Sequence, residues 1–176
     1  MAVLALPALL ASCQATGDDT TDTTYALLIK NARVVDGTGS AAYVANLLIN
    51  GDSIALIDRD TTNTYTATST INAQGMVVTP GFIDTHAHGD PLETPEFENF
   101  LAMGVTTICL GQDGASPGEK DLRAWMDRVD QVRPAVNIAM FAGHGTLRML
   151  SGVGYDSIPS AENSKALDNL LIAAMD

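Results

Sequence analysis

Two imidazoles one residue apart, His86 and His88, close the stretch 76–90, which reads Met-Val-Val-Thr-Pro-Gly-Phe-Ile-Asp-Thr-His-Ala-His-Gly-Asp. After the Pro80-Gly81 break, Phe82-Ile83-Asp84-Thr85-His86 has the make-up of a short strand. In an extended chain, side chains two positions apart leave the same face. Both rings then project to one side, as two ligands of a single metal ion must. Asp84 and Asp90 share that parity and are placed to orient or supplement the pair. A metal held this way polarises a carbonyl or lowers the pKa of a bound water. For the His-Ala-His tripeptide by itself, two hydrogen-bonded histidines at a strand end are an equal reading.

The surroundings separate the two. Val78-Thr79-Pro80-Gly81-Phe82-Ile83-Asp84-Thr85-His86-Ala87-His88-Gly89-Asp90 resembles the opening of the metal site in the amidohydrolase superfamily. The resemblance implies that the two histidines close the first strand of a (β/α)8 barrel and hold one or two divalent ions, usually zinc. Two later segments narrow it. Gly104-Val105-Thr106-Thr107 leads to the turn Gly111-Gln112-Asp113-Gly114, and Gly143-His144-Gly145-Thr146-Leu147-Arg148 follows. Together they resemble the D-aminoacylase (N-acyl-D-amino-acid deacylase) branch, over about residues 25–176. In that branch the first of these turns usually reads Gly-Asn-Cys-Gly, and its cysteine binds metal. Asp113 stands at the cysteine position. Aspartate ligates zinc through oxygen at about 2.0–2.2 Å, so a harder third ligand is implied, against a reading in which Asp113 caps the next helix. Cys109 reads as a buried small hydrophobe. His144 is implied to stand exposed at the barrel mouth, in substrate contact or in a plain hydrogen-bonding role. Arg148 pairs either with a substrate carboxylate or with solvent.

The elements that position these residues follow from patterning. Residues 25–80 read as short strands forming a small β-sandwich segment: Tyr25–Ile29 and Arg33–Val35 separated by Lys30-Asn31-Ala32, a hairpin of Asn46–Ile49 and Ser53–Ile57 around Asn50-Gly51-Asp52, an exposed strand over Thr64–Asn72, and Met76–Thr79. After Pro80 strands alternate with helices. Thr94-Pro95-Glu96 predicts a helix start, with Phe97, Phe100 and Leu101 as its buried stripe and Gly104 as its end. Val105–Leu110 predicts a strand covered on both sides. Ser116-Pro117-Gly118-Glu119 has the form of a capping box, followed by Leu122, Trp125, Met126 and Val129 at helical spacing and a stop at Arg133-Pro134. Val136–Ala142 predicts a third strand, and Ser160 to Met175 a third helix with Leu167, Leu170, Leu171 and Ala174 on one face. The fold class is thus α/β, an incomplete (β/α)8 TIM-type barrel of about three βα units over 81–176. A full barrel needs eight units and about 250 residues, so the chain is expected to be the N-terminal part of a longer enzyme.

Bulk composition agrees with a globular protein: of 176 residues, 46% are hydrophobic and 17% charged. A net charge of −12, from 21 acidic against 9 basic residues, supplies no Lys/Arg footprint for nucleic acid or for anionic lipid. Two cysteines, Cys13 and Cys109, allow at most one disulfide, and none is expected.

Residues 1–12 are uncharged and almost wholly apolar, yet shorter than the roughly 20 residues a spanning helix needs. They fit a signal-peptide core, and Leu10-Ala11-Ser12-Cys13 resembles a bacterial lipobox whose Cys13 sulfur takes a lipid. Residues 1–13 are therefore expected to be a lipoprotein signal and 14–24 a polar, disordered tether. Gln14 lacks the aspartate of inner-membrane retention, so the expected address is the periplasmic face of the outer membrane or the cell surface, with lipid as the sole membrane contact. No Lys or Arg precedes the apolar core, which points to a misplaced start codon or a missing 5′ end.

The implied activity is metal-assisted amide hydrolysis of a small-molecule N-acyl amino acid, with zinc on His86 and His88. Other amidases of the superfamily, dihydroorotase-like or dipeptidase-like, and a non-catalytic lipoprotein using the scaffold for binding remain as alternatives. The family's other histidines and its aspartate base come from later strands, so the catalytic base is expected beyond Asp176.

Overall fold

The computed structural model describes residues 23–175. Cys13, the lipobox and the tether up to residue 22 lie outside the described residues. The chain divides into two compact units, with the break between Thr79 and Pro80.

The first unit is a mixed sheet of β1 (Tyr25–Val34), β2 (Tyr43–Asn50), β3 (Ser53–Asp58), β4 (Ala67–Asn72) and β5 (Val77–Val78). Its order is β3-β2-β1-β4, with β5 also on β1. Antiparallel β2 and β3 form the hairpin across Gly51-Asp52. The strands of this unit make one sheet. Lys30-Asn31-Ala32, expected to separate two strands, lies inside β1. The pairing with β2 shifts between Ile29 and Ala32, and Asn31 takes φ 57°. Such a bulge leaves a backbone donor off the ladder. Here it is satisfied, because Asn31 N–H donates to Asn46 Oδ1 at 3.1 Å. Asn46 is itself only 3% exposed, so a buried polar side chain is what holds the strand continuous. Ala32, Val34, Ala45, Leu47 and Ala73 form the apolar core of this unit.

The second unit alternates strand and helix: β6 (Phe82–Asp84), α1 (Glu98–Ala102), β7 (Val105–Leu110), α2 (Leu122–Val132), β8 (Asn137–Met140), α3 (His144–Leu150) and α4 (Ala161–Met175). The three strands are all parallel, in the order β6-β7-β8. Parallel pairing places their C-terminal ends on one side of the sheet, so the loops after Asp84, Leu110 and Met140 share a rim. Beneath it Ala87, Phe97, Val105, Ile108, Leu110 and Val136 pack together, and Leu122, Trp125 and Val129 of α2 form a neighbouring cluster.

Several element limits differ from the sequence expectation. The strand expected to reach His86 ends at Asp84. Thr94 does not cap α1: its N–H and hydroxyl both bond the Asp90 carbonyl. The helix begins four residues later behind Phe97, which adopts a left-handed conformation, φ 42°, and buries its ring against Phe100. Core burial there outweighs local capping chemistry. Leu101 stands exposed. The Ser116–Glu119 capping box does not form either. Asp121 caps α2, accepting from Ala124 N–H at 3.0 Å, while Glu119 binds Arg128 on the helix face, which holds its carboxyl below the usual range. In β7, Thr106 is exposed, so the strand is not fully covered on both faces. In α4 no side chain is fully buried, and Leu171 is exposed.

Candidate metal centre

Ala87 organises the local geometry. Its methyl is buried in the core, and its N–H donates to the Cys109 carbonyl at 3.0 Å. With Ala87 turned inward, its neighbours on either side turn outward. The imidazoles of His86 and His88 lie with ring centroids 5.5 Å apart. Their Nε2 atoms each stand 3.0 Å from a different oxygen of one carboxylate, Asp113. Both histidines follow β6 and Asp113 follows β7, so two strand ends build the cluster. Its ligand atoms all lie within 4.8 Å of one another.

Two interactions hold the loops in that relation. The Asp84 carboxylate accepts from His86 N–H at 3.1 Å, which anchors the backbone rather than the ring. The Gln112 side-chain amide donates to the Thr85 carbonyl, lacing the loop that carries Asp113 to the one that carries the histidines. Sequence reasoning passed over Gln112, whose only signal was its place beside Asp113 in a Gly-x-x-Gly turn. Asp90, matched in parity to the histidines, stands outside their cluster; its carboxylate accepts from Leu92 N–H at 2.9 Å and shapes the following turn. Gly89 makes that turn possible. At φ 157°, a Cβ there would sit 2.7 Å from the Phe97 ring.

On its other side the Asp113 loop is braced by α3. Gly143 N–H donates to Ser116 Oγ at 3.1 Å, Ser116 N–H to Thr146 Oγ1 at 2.9 Å, and Thr146 N–H to the Gly114 carbonyl at 3.1 Å. Gly143 has no room for a side chain, since a Cβ would lie 2.6 Å from the Gly114 carbonyl oxygen. Ser116 is therefore a cross-loop tie, which explains why it does not start α2. His144 is not a loop residue as expected: it opens α3, exposed on the same rim, and stands outside the three-residue cluster. Arg148 turns back on its own chain, donating to the Gly154 carbonyl at 2.9 Å and the Asp156 carbonyl at 2.5 Å. Cys109 is a free, half-buried thiol, also outside the cluster.

Magnitudes bear on what the cluster is for. The side chains of His86, His88 and Asp113 are 56%, 75% and 57% exposed. Exposed ion pairs contribute about 0–1 kcal/mol, so stability alone is a weak reason to gather these groups. The donor set suits a divalent cation. Imidazole nitrogen and carboxylate oxygen bind zinc at about 2.0–2.2 Å, which sets donors of one tetrahedral ion roughly 3.4 Å apart. The 3.0 Å separations here are within a few tenths of that, and exposure leaves a side open for water or substrate.

No family model matches the chain. Among curated relatives, N-acyl-D-glutamate deacylase of Alcaligenes xylosoxydans xylosoxydans is 29% identical over 172 residues, covering 85% of this chain and 35% of that protein. D-aminoacylase of the same organism is 32% identical over 147 residues, covering 70% of this chain and 30% of the relative. Among solved structures, N-acyl-D-glutamate deacylase of Bordetella bronchiseptica, complexed with zinc and a phosphonate inhibitor that mimics the tetrahedral intermediate, aligns with TM-score 0.75 at 27% identity. That alignment covers 86% of this chain and 36% of the other. The chain spans about a third of the length of the relatives it matches. Over that third, the chain is similar in sequence and in fold to N-acyl-D-glutamate deacylase and D-aminoacylase.

Proposed function

We propose that the protein carrying this chain is a zinc-dependent amidohydrolase that removes the acyl group from N-acyl-D-amino acids. In this reading β6, β7 and β8 are the first three strands of a (β/α)8 barrel, whose chemistry sits at the C-terminal strand ends. The carrying observation is the convergence of His86 Nε2, His88 Nε2 and the Asp113 carboxylate on that rim. Its support is the likeness to an N-acyl-D-glutamate deacylase that binds zinc.

His86, His88 and Asp113 would hold the ion, which when bound supplies Lewis acidity and an acidified water. The chain's own part is positional. Ala87 and Cys109 fix the direction of the two rings, Gln112 sets the distance between the loops, and the Asp113 carboxylate offsets the cation's charge. His144, on the same rim, is read as a substrate contact. The proton-transferring base is assigned to strands beyond this chain's residues. Export as a lipoprotein through Cys13 is part of the proposal, and radiolabelled palmitate incorporated by the wild type but not by Cys13→Ala would support it.

The test is acid release from N-acetyl-D-glutamate and N-acetyl-D-methionine by the full reading frame. Turnover that a chelator abolishes, zinc restores and His86→Ala removes is expected. Turnover untouched by the chelator would overturn the reading.

A further inference from the structure

The donor atoms on the rim differ in how they sort metal ions. His86 and His88 offer imidazole nitrogen, and Asp113 offers carboxylate oxygen. Imidazole serves zinc, copper, iron and nickel alike, so the two histidines discriminate little among them. Carboxylate and water suit hard ions such as manganese, whereas thiolate suits soft ones. The third ligand therefore sets the preference, and here it is oxygen. Cys109, the one cysteine among the described residues, is a free thiol outside the cluster.

The surroundings leave that task to Asp113. Its Oδ1 faces His86 Nε2 and its Oδ2 faces His88 Nε2, each at 3.0 Å, so one carboxylate spans both rings. The other oxygen and amide groups of the rim are turned elsewhere. Asp84 accepts from His86 N–H, Asp90 accepts from Leu92 N–H, and the Gln112 amide donates to the Thr85 carbonyl. All three cluster side chains are more than half exposed, which leaves water, another oxygen donor, to complete the shell of an ion.

We propose that Asp113 selects the ion: it makes the site admit hard and borderline divalent cations, such as manganese and zinc, and disfavours soft ones such as cadmium. The inference rests on the metal-dependent reading above for the presence of an ion, and adds which ions the chain admits.

Asp113→Cys isolates the property. A thiol that coordinates a metal is deprotonated, so one anionic ligand replaces another and only oxygen becomes sulfur. Zinc, manganese and cadmium are titrated by calorimetry into the full reading frame of wild type and variant, at one pH. The expected cadmium-to-zinc affinity ratio is at least about tenfold higher in Asp113→Cys than in the wild type, while the manganese-to-zinc ratio falls. Manganese and cadmium are both larger than zinc, so a site that sorted by size would move both ratios in the same direction. Loaded with cobalt, the variant should also gain a sulfur-to-metal charge-transfer band in the near ultraviolet. Ratios that stay unchanged, or that move together, overturn the proposal. Should thermal melts show Asp113→Cys unfolded, Asp113→Asn carries the test, because it keeps the shape and removes the charge. Manganese binding should then weaken by a larger factor than cadmium binding, and equal losses overturn the proposal. Failure of the deacylase reading looks different. Ratios that shift as expected, with no hydrolysis of N-acetyl-D-glutamate, remove that reading and leave Asp113 as the selector. A wild type that binds none of the three ions removes both.

Discussion

The N–H of Ala87 donates to the carbonyl of Cys109 across the β6–β7 rim at 3.0 Å, and this bond sets the direction of both flanking imidazoles. Ala87 is 5% exposed, so nothing larger fits without moving the loop. Ala87→Leu is expected to cost about 1–3 kcal/mol through overpacking and to weaken divalent-metal affinity by at least tenfold, because His86 and His88 shift off Asp113. Paired thermal melts and metal titrations check this. Metal affinity unchanged in a folded Ala87→Leu protein would show that the loop position is immaterial.

Asp121 takes the capping role that the sequence context gives to Ser116, and hydrogen exchange distinguishes the two. Asp121→Ala should expose the Ala124 amide and cost about 1 kcal/mol as a lost helix cap. Ser116→Ala should leave α2 intact and instead raise exchange at Gly143, at a similar cost of about 1 kcal/mol for a lost hydrogen bond. If Ser116→Ala frayed α2, the capping-box reading would be restored.

Tyr65 donates to the Asp58 carboxylate at 2.5 Å, and Asn63 donates to the same oxygen at 2.8 Å. These bonds hold the Asp58 carboxyl below its ordinary value of 3.8, with Tyr65 the larger cause. The bond to Asp58 also holds the Tyr65 hydroxyl above 10.0. A carboxyl lowered on folding contributes stability above its unfolded pKa, and that stability is lost as pH falls through the folded value. The Tyr65 contribution is present below 10.0 and is lost as pH rises through the raised value. Tyr65→Phe should move the Asp58 titration back toward 3.8, read by carboxyl NMR, and flatten the acid limb of unfolding. An Asp58 titration unmoved by Tyr65→Phe would deny the coupling.

Gly143 should tolerate nothing else. Gly143→Ala sets a methyl against the Gly114 carbonyl and should loosen the loop bearing Asp113, seen as faster exchange at Ser116 and Thr146 together with weaker metal binding. Normal protection at both amides would contradict the account of that brace.

Some of this was legible in the chain and some was not, for physical reasons. The pairing of His86 with His88 depends only on local backbone parity, and the stripe Leu122, Trp125, Val129 only on helical period. Both read directly. Asp113 lies far along the chain from the histidines and meets them only through the parallel register of β6 and β7; it was reachable by resemblance and not by spacing. Gln112 was invisible because its partner is a backbone carbonyl on another strand. Thr94 and Ser116 misled for the opposite reason: each satisfies a local capping rule, yet other partners claim it first. Asn31 broke β1 on paper because the buried Asn46 side chain that rescues it comes from the next strand.

The central claim is that His86, His88 and Asp113 together hold one divalent ion. Calorimetric titration of zinc into the protein tests it most directly, with His86→Ala, His88→Ala and Asp113→Ala beside the wild type and Asp90→Ala as the control. The account predicts one ion at this site, at least about tenfold weaker binding in each of the three variants, and wild-type affinity in Asp90→Ala. Zinc that does not bind, or that binds equally well without Asp113 and either histidine, would contradict it.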